Sequence, residues 1–299
     1  MPDTWELAST LALSLLYLGV LGSIGQVLVR IVFSRETAGL HATMVRQATA
    51  LAVLALLAAG IGFALTGAAM TGEISGMTDP EMLGLLWQTP VGAALAYRVA
   101  GLGLVLLGLR LAGIGLPIAA VGGLLSLWSF SRVGHVTDVG ALWLEFLLLL
   151  HLAGAALWIG VLSPLHILAG KREDLSLAAS LAHRFGRVAA FAVPFLIAAG
   201  IVLAWRLLGG VEALLETGYG LTLLAKIGAV ACLLAAAAAN KYRFVPAMKA
   251  GDRRGAVALR RTITVEWAAI CLVLLATAAL TSLQGAPWDQ HAFSLTHNP

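Results

Sequence analysis

The chain has 299 residues, of which 60% are hydrophobic and only 11% charged, and its net charge is +4 with histidine neutral. A soluble globule of this length needs far more polar residues to cover its core. This composition excludes a cytosolic enzyme, a disordered tail and a collagen-like repeat, and it predicts an integral membrane protein.

The N-terminus carries Asp3 and Glu6 and has no Lys or Arg before the first apolar run. Because a secretory signal peptide begins with a positive segment, we interpret this run as a retained helix. Only two cysteines occur, Cys232 and Cys271, and they cannot form a disulfide framework.

Eight apolar runs are long enough to cross a bilayer, which takes about 20 residues of helix. They cover roughly residues 7–33, 47–69, 90–111, 114–131, 141–169, 187–208, 219–243 and 262–283. The predicted fold class is therefore an all-α integral membrane protein with eight transmembrane helices.

The positions of the basic residues predict the orientation. With the N-terminus outside, the cytoplasmic ends and loops hold 15 of the 19 Lys and Arg residues. These are Arg30, Arg35, Arg46, Arg110, Lys171, Arg172, Arg184, Arg187, Lys241, Arg243, Lys249, Arg253, Arg254, Arg260 and Arg261. We therefore expect both termini outside. Spread over separate loops in this way, the positive charge indicates topology, and no nucleic-acid partner is expected.

The spans recur in order as two sets of four. Thr89-x-x-Gly92 and then Arg98 in the third span match Thr217-x-x-Gly220 and then Lys226 in the seventh. The segment LLYLG of the first span likewise matches LLHLA of the fifth. We expect a 4+4 parallel repeat about an axis along the membrane normal, with residues 1–134 and 135–285 as its halves and 286–299 as a periplasmic tail.

Arg98 and Lys226 each lie about 12 Å below the outer end of a span, and a charge at such depth needs a partner or a function. They are either snorkelling cations or a pair facing a central cavity. In the second case they hold an anionic group or pair with Glu145.

His151 lies at a similar depth in the fifth span, and His135 lies in the outer loop before it. Imidazole is a good copper and zinc ligand, so both are candidate metal ligands on the outer side. A single intramembrane histidine bonded to a neighbouring helix is the alternative. Glu145, six residues before His151, points to another face and is expected to play a supporting role, paired with Arg98 or Lys226.

The loop after the second span carries Met70, Met77 and Met82, whose thioether sulfurs suit Cu(I) but also serve as apolar filler. Cys232 and Cys271 lie at mid-bilayer height, where they are either small apolar residues or a soft transit site. For Glu266, near the inner end of the eighth span, we expect an ion pair with the cytoplasmic arginines, and a proton relay is the alternative.

Several stretches resemble a known family. They are Gly134-His135, LLHLAGAALWIGVL at 149–162, HRFGRVAAFAV at 183–193, GYGLTLLAKIG at 218–228, Asn240 to Arg243 and LRRTITVEWA at 259–268. In order and spacing they resemble the CopD/PcoD family of bacterial copper resistance and copper uptake proteins. The resemblance covers the C-terminal half, whereas the N-terminal half is similar only in layout.

The chain departs from the family pattern at Val161 and Leu221, where members of the family usually carry Gly and Arg, respectively. The resemblance implies that copper, Cu(I) or Cu(II), is moved across the bacterial inner membrane or handled there. Import is the expected direction, with copper received from a separate periplasmic protein of the CopC kind. The resemblance carries His135 and His151 over as matching positions. With no P-loop or DKTGT motif in the chain, we expect transport without ATP hydrolysis and no enzymatic activity.

Two alternatives remain open from the sequence. One is a haem-carrying membrane cytochrome, since His151 and His166 are about 22 Å apart by helical rise and His183 and His135 could supply further axial ligands. The other is a membrane sensor or scaffold that binds copper without moving it. The sequence leaves the oligomeric state open.

Overall fold

The computed structural model describes residues 4–133, 142–208 and 213–282, and within these ranges the chain forms helices and no strand. Eight long helices follow one another: α1 (Thr4–Val32), α2 (His41–Thr71), α3 (Pro90–Arg110), α4 (Gly115–Trp128), α5 (Leu142–Leu168), α6 (Leu175–Leu208), α7 (Gly218–Ala239) and α8 (Arg253–Ser282). Each overlaps one of the eight predicted apolar runs.

Seven helical segments in the described chain are long and apolar enough to cross a membrane. The exception is α4, which has 14 residues and is continued by a 3₁₀ turn over Ser129–Ser131. Together they form an apolar segment over Gly115–Ser131, one turn short of the usual span. The all-helical membrane class is confirmed, and the count that the structure supports directly is seven.

Short elements join the long ones. They are helices at Ser34–Thr37, Pro80–Trp87, Ala213–Glu216 and Val245–Lys249, 3₁₀ turns at Ala38–Leu40 and Ile74–Met77, and a π-helical turn at Asn240–Phe244. The helix ends follow local chemistry. Thr89 caps α3 by accepting from Val91 N, with Pro90 at the first helical position, and Thr217 caps α7 by accepting from Gly220 N.

The first helix is the centre of the bundle. Of its apolar window, 72% is buried, against 6% for α6 and 11% for α7. It packs against α2, α4, α5 and α8. Its glycines allow this, because a methyl group on Gly25 would collide with the backbone of Ala156 and Gly160, and one on Gly160 would collide with Gly25. Helices α1 and α5 therefore touch backbone to backbone.

Helices α3 and α4 form a close antiparallel hairpin. A Cβ on Gly101 would collide with Gly122, and one on Gly108 would collide with Gly115. At one end of the bundle, the hydroxyls of Thr10 in α1 and Ser282 in α8 are hydrogen-bonded at 2.7 Å. The first and last described helices thus begin and end on the same side.

The α1–α5 contact predicts the outcome of one substitution. Gly25→Leu should lower the free energy of unfolding by about 3 kcal/mol, because the side chain meets backbone that cannot move aside. Thermal unfolding of the detergent-solubilised protein measures this. Gly60→Leu is the matched control, since a Cβ there meets nothing within 4 Å. Equal midpoints for the two variants would contradict the close contact.

Candidate metal and charge sites

Glu145 lies near the start of α5, and the residue is 8% exposed. It forms a salt bridge with Arg132 and accepts a hydrogen bond from Ser131 Oγ at 3.1 Å. The guanidinium of Arg132 also lies 5.4 Å from the centre of the Trp128 ring. The expectation that Glu145 pairs with Arg98 or Lys226 is wrong for the described residues, because the end of α4 brings Arg132 nearer.

Arg98 is held inside the bundle by α4. Its Nε donates to Ser129 Oγ at 3.2 Å, and its guanidinium lies 5.2 Å from the centre of the Phe130 ring. That ring stacks on Tyr17 of α1 at 4.7 Å, and Tyr17 and Arg98 interact electrostatically. Arg98 is therefore anchored by contacts with Ser129 and Phe130, and it does not behave as a cation that snorkels freely to the membrane surface.

His151 lies on α5 where this helix packs against α6. Its ring lies close to the backbone of Leu196 in α6, and Lys226 in α7 is near enough to act on it electrostatically. A Cβ on Gly154, one turn further along α5, would lie 3.0 Å from the Leu196 side chain, so the absence of a side chain lets α6 come close. The Nδ1 atom of His151 is buried and has no hydrogen-bond partner among the described residues.

An orphaned imidazole nitrogen fits one position of a copper coordination shell. The rest of a shell is not assembled in the described ranges, where no group of three or more His, Cys, Asp or Glu residues could hold a metal ion. His135, the second predicted ligand, lies outside the described residues. The Lys226 ammonium opposes a cation at His151, so additional ligands or an anion must offset that charge.

The three methionines all belong to the connection between α2 and α3. Met70 stands at the end of α2 and is 62% exposed, Met77 closes the 3₁₀ turn, and Met82 lies in the helix Pro80–Trp87. This connection folds back on α2, since a Cβ on Gly67 would collide with Gly76. The predicted methionine loop is thus one local structure at the end of the bundle where α3 begins.

The two cysteines do not face the interior. Cys232 and Cys271 are free thiols on the outer surfaces of α7 and α8. In a bilayer these surfaces meet lipid or another protein. A soft transit site formed by these thiols inside the described bundle is therefore ruled out by their direction.

Glu266 has surroundings that the sequence did not predict. It is 2% exposed, accepts from Trp158 Nε1 at 3.0 Å through Oε2, and accepts from Asn240 Nδ2 at 2.6 Å through Oε1. Among the described residues no cation bonds to it, so the expected ion pair with the cytoplasmic arginines is wrong. Trp158 and Asn240 lie in two of the stretches that resemble the family. They are far apart in the sequence, so their common contact with Glu266 could not be predicted.

His166 and His183, the inner histidines of the haem hypothesis, do not converge. His166 Nε2 lies 3.0 Å from the Arg260 guanidinium, and its ring packs 5.1 Å from that of Trp267. His183 is exposed on α6. An axial role for His166 would require breaking the contact with Arg260, so no observation favours the haem hypothesis.

Two family models match the chain. Residues 1–143 match the model described as "Copper resistance protein D-like, N-terminal domain", and residues 179–280 match "Copper resistance protein D". The N-terminal half, in which the sequence showed similarity only of layout, thus carries a family match of its own. His151 falls between the two matched stretches.

Three curated relatives are similar to the chain. "Copper resistance protein D" of Pseudomonas syringae pv. tomato is 28% identical over 256 residues, 79% of this chain and 82% of that protein. "Copper transport protein CutJ" of Bacillus subtilis is 31% identical over 141 residues, 46% of this chain and 25% of that protein. "Inner membrane protein YebZ" of Escherichia coli is 31% identical over 139 residues, 45% of this chain and 47% of that protein.

The chain therefore spans about a quarter of the B. subtilis relative and about half of the E. coli relative. No solved structure shows significant similarity to it. Both family models and the long alignment with the P. syringae protein agree with the resemblance found in the sequence. The chain is a multi-pass membrane protein and belongs to the copper resistance protein D (CopD) family.

Proposed function

We propose that this protein moves copper across the bacterial inner membrane, from the periplasm inward, without ATP hydrolysis. The names of its relatives support copper handling and an inner-membrane location. The donor in this proposal is a separate periplasmic copper-binding protein of the CopC kind, as the resemblance to the family implies.

The observation that carries the proposal is the orphaned Nδ1 atom of His151. A buried polar atom without a hydrogen-bond partner costs about 1–3 kcal/mol of stability, unless a ligand or a water molecule binds to it. His151 lies nine residues after the first residue of α5, about 14 Å along the helix. This depth suits an ion that has entered from the outer face and has yet to cross the inner half.

His135 is the second ligand in this proposal, since it stands 16 residues before His151 in the sequence, in the stretch that leads into α5. A second ligand is needed on electrostatic grounds, because Lys226 raises the free energy of a lone cation at His151. Met70, Met77 and Met82 form an outer collection point for Cu(I) in the same proposal.

We further propose eight crossings with both termini outside. Three contacts support α4 as a crossing despite its length. Gly108 meets Gly115 at one end of the α3–α4 hairpin, Gly101 meets Gly122 further along, and Arg98 bonds Ser129 near the other end. The Thr10–Ser282 hydrogen bond also fits, because an even number of crossings returns the chain to its starting side.

The proposed 4+4 repeat is supported by matched contacts in the two halves. Tyr17 interacts with Arg98 across α1 and α3, and His151 interacts with Lys226 across α5 and α7, at positions that the sequence repeat aligns. The backbone contact of Gly25 with Gly160 joins the two halves at α1 and α5. A twofold axis along the membrane normal beside this contact relates the halves.

Removing the proposed ligand gives the first test. His151→Ala should weaken copper binding by tenfold or more, because loss of a direct ligand should exceed the 10–100-fold losses typical of supporting residues. The measurement is copper stoichiometry and affinity of the purified protein. His183→Ala is the matched control, since that histidine is exposed. Unchanged binding in His151→Ala would exclude this site and make the methionine loop the next candidate.

Topology has its own test. In a background lacking Cys232 and Cys271, a single cysteine at Ser75 should react with a membrane-impermeant thiol reagent added to whole spheroplasts. A single cysteine at Ser176 should react only after lysis. Both positions are exposed in the structure. Labelling of Ser176 from outside would contradict eight crossings with both termini outside.

Transport itself is tested in proteoliposomes. We expect the protein to increase copper entry over empty liposomes without added ATP, and His151→Ala to abolish most of the increase. Copper binding with no increase in entry would contradict transport and support the sensor or scaffold alternative.

A further inference from the structure

The structure points to a second functional site at Glu266, in the half of the bundle away from His151. Trp158, which binds Glu266, lies seven residues beyond His151 on α5, about 10 Å further along the helix. Both oxygens of the carboxylate accept a hydrogen bond from an uncharged donor, Trp158 or Asn240. A buried carboxylate held only by neutral donors has no opposite charge to balance its own.

The donors are themselves fixed. Thr262 Oγ1 donates to Asn240 Oδ1, which directs the amide NH₂ of Asn240 to Glu266. The Trp158 ring is wedged edge-on against Phe185 at 5.6 Å. The arrangement therefore recognises an ionised carboxylate with pre-oriented donors.

Nearby charged and titratable groups are engaged elsewhere or exposed. On the elements around Glu266 they are Arg30, His166, His183, Arg184, Arg187, Lys241, Tyr242, Arg243, Lys249, Arg260 and Arg261. Arg30 bonds His41, Arg184 bonds Glu36, and His166 and Arg260 bond each other. The other seven are exposed. None of the described groups supplies the balancing charge.

A proton is the cation that can neutralise the buried charge of Glu266. Copper is poorly suited, since hard carboxylate oxygens and N–H donors are not its preferred ligands. Adding a proton converts the carboxylate to a neutral acid and forms one O–H bond. The protonated oxygen is a weaker hydrogen-bond acceptor than a carboxylate oxygen, so the bond from Trp158 or Asn240 to that oxygen weakens.

Weakening of the Asn240 contact acts on the end of α7. Asn240 opens the π-helical turn Asn240–Phe244 that follows α7, and such turns are frequent at functional sites because their backbone bonding is irregular. Helix α7 carries Lys226 beside His151 near its other end. One continuous helical segment therefore carries a cation near the proposed copper ligand and, in the turn at its end, the amide that binds the buried carboxyl.

We propose that Glu266 is a proton-binding residue whose protonation is coupled through α7 to copper binding at His151. The coupling rests on the proposed copper function, whereas the protonation does not.

Infrared difference spectroscopy of the full-length protein tests the protonation. On acidification from about pH 8 to about pH 5, a range that covers shifted glutamates, the C=O band of a protonated carboxyl should grow. It should be lost in Glu266→Gln and kept in Glu173→Gln, whose carboxyl is exposed. A band that survives Glu266→Gln would overturn the proposal.

Trp158→Phe keeps the test decisive if Glu266→Gln does not fold. Loss of the indole donor removes a hydrogen bond from the ionised form, so the band should appear at higher pH than in the wild-type protein. Rings of similar shape preserve the contact with Phe185. An unchanged titration in Trp158→Phe would overturn the proposed site.

Coupling is tested by adding copper to weakly buffered protein and measuring the change in pH with an indicator dye. The wild-type protein should release or take up more protons per bound copper than Glu266→Gln, at equal copper stoichiometry. Equal proton changes in both proteins would contradict the coupling alone. Failure of the wild-type protein to bind copper would contradict the proposed function and leave the infrared result standing.

Discussion

The bundle depends on the direct contact of α1 with α5. Gly25 and Gly160 have no side chains, and this allows two backbones to meet at the centre of the molecule. Membrane helices gain no hydrophobic free energy by associating with one another, so close van der Waals packing of this kind holds them. Around it, α1 organises α2, α4 and α8, and α5 presents His151 on one turn and Trp158 two turns later.

Charges inside this bundle are treated in different ways. Arg132 with Glu145 and Arg184 with Glu36 are neutralised locally, near opposite ends. Arg98 is fixed by a hydroxyl and an aromatic ring. Lys226 and Glu266 remain without an opposite charge among the described residues. The paired residues have a structural role. Lys226 and Glu266 carry charges that the described residues do not balance, and this makes them the charges most able to interact with a moving ion.

The sequence predicted the helices well because hydropathy over 20 residues averages out local exceptions. It overestimated α4, whose apolar run includes the 3₁₀ turn Ser129–Ser131. The sequence did not predict which side chains pair with the buried carboxylates. Glu145 binds Arg132, 13 residues earlier in the chain, and Glu266 binds Trp158, 108 residues away. Which charge meets which partner depends on helix rotation and crossing, and periodicity in a uniformly apolar helix gives little information about either.

The sparse packing of α6 and α7 has a consequence for energetics. Only 6% and 11% of their apolar windows are buried within the chain, against 72% for α1. A rigid-body shift of these helices exchanges lipid contacts for other lipid contacts and sacrifices few protein contacts. Since His151 lies against α6 and near Lys226 of α7, we expect a change in bilayer thickness to shift these helices and alter the geometry around His151.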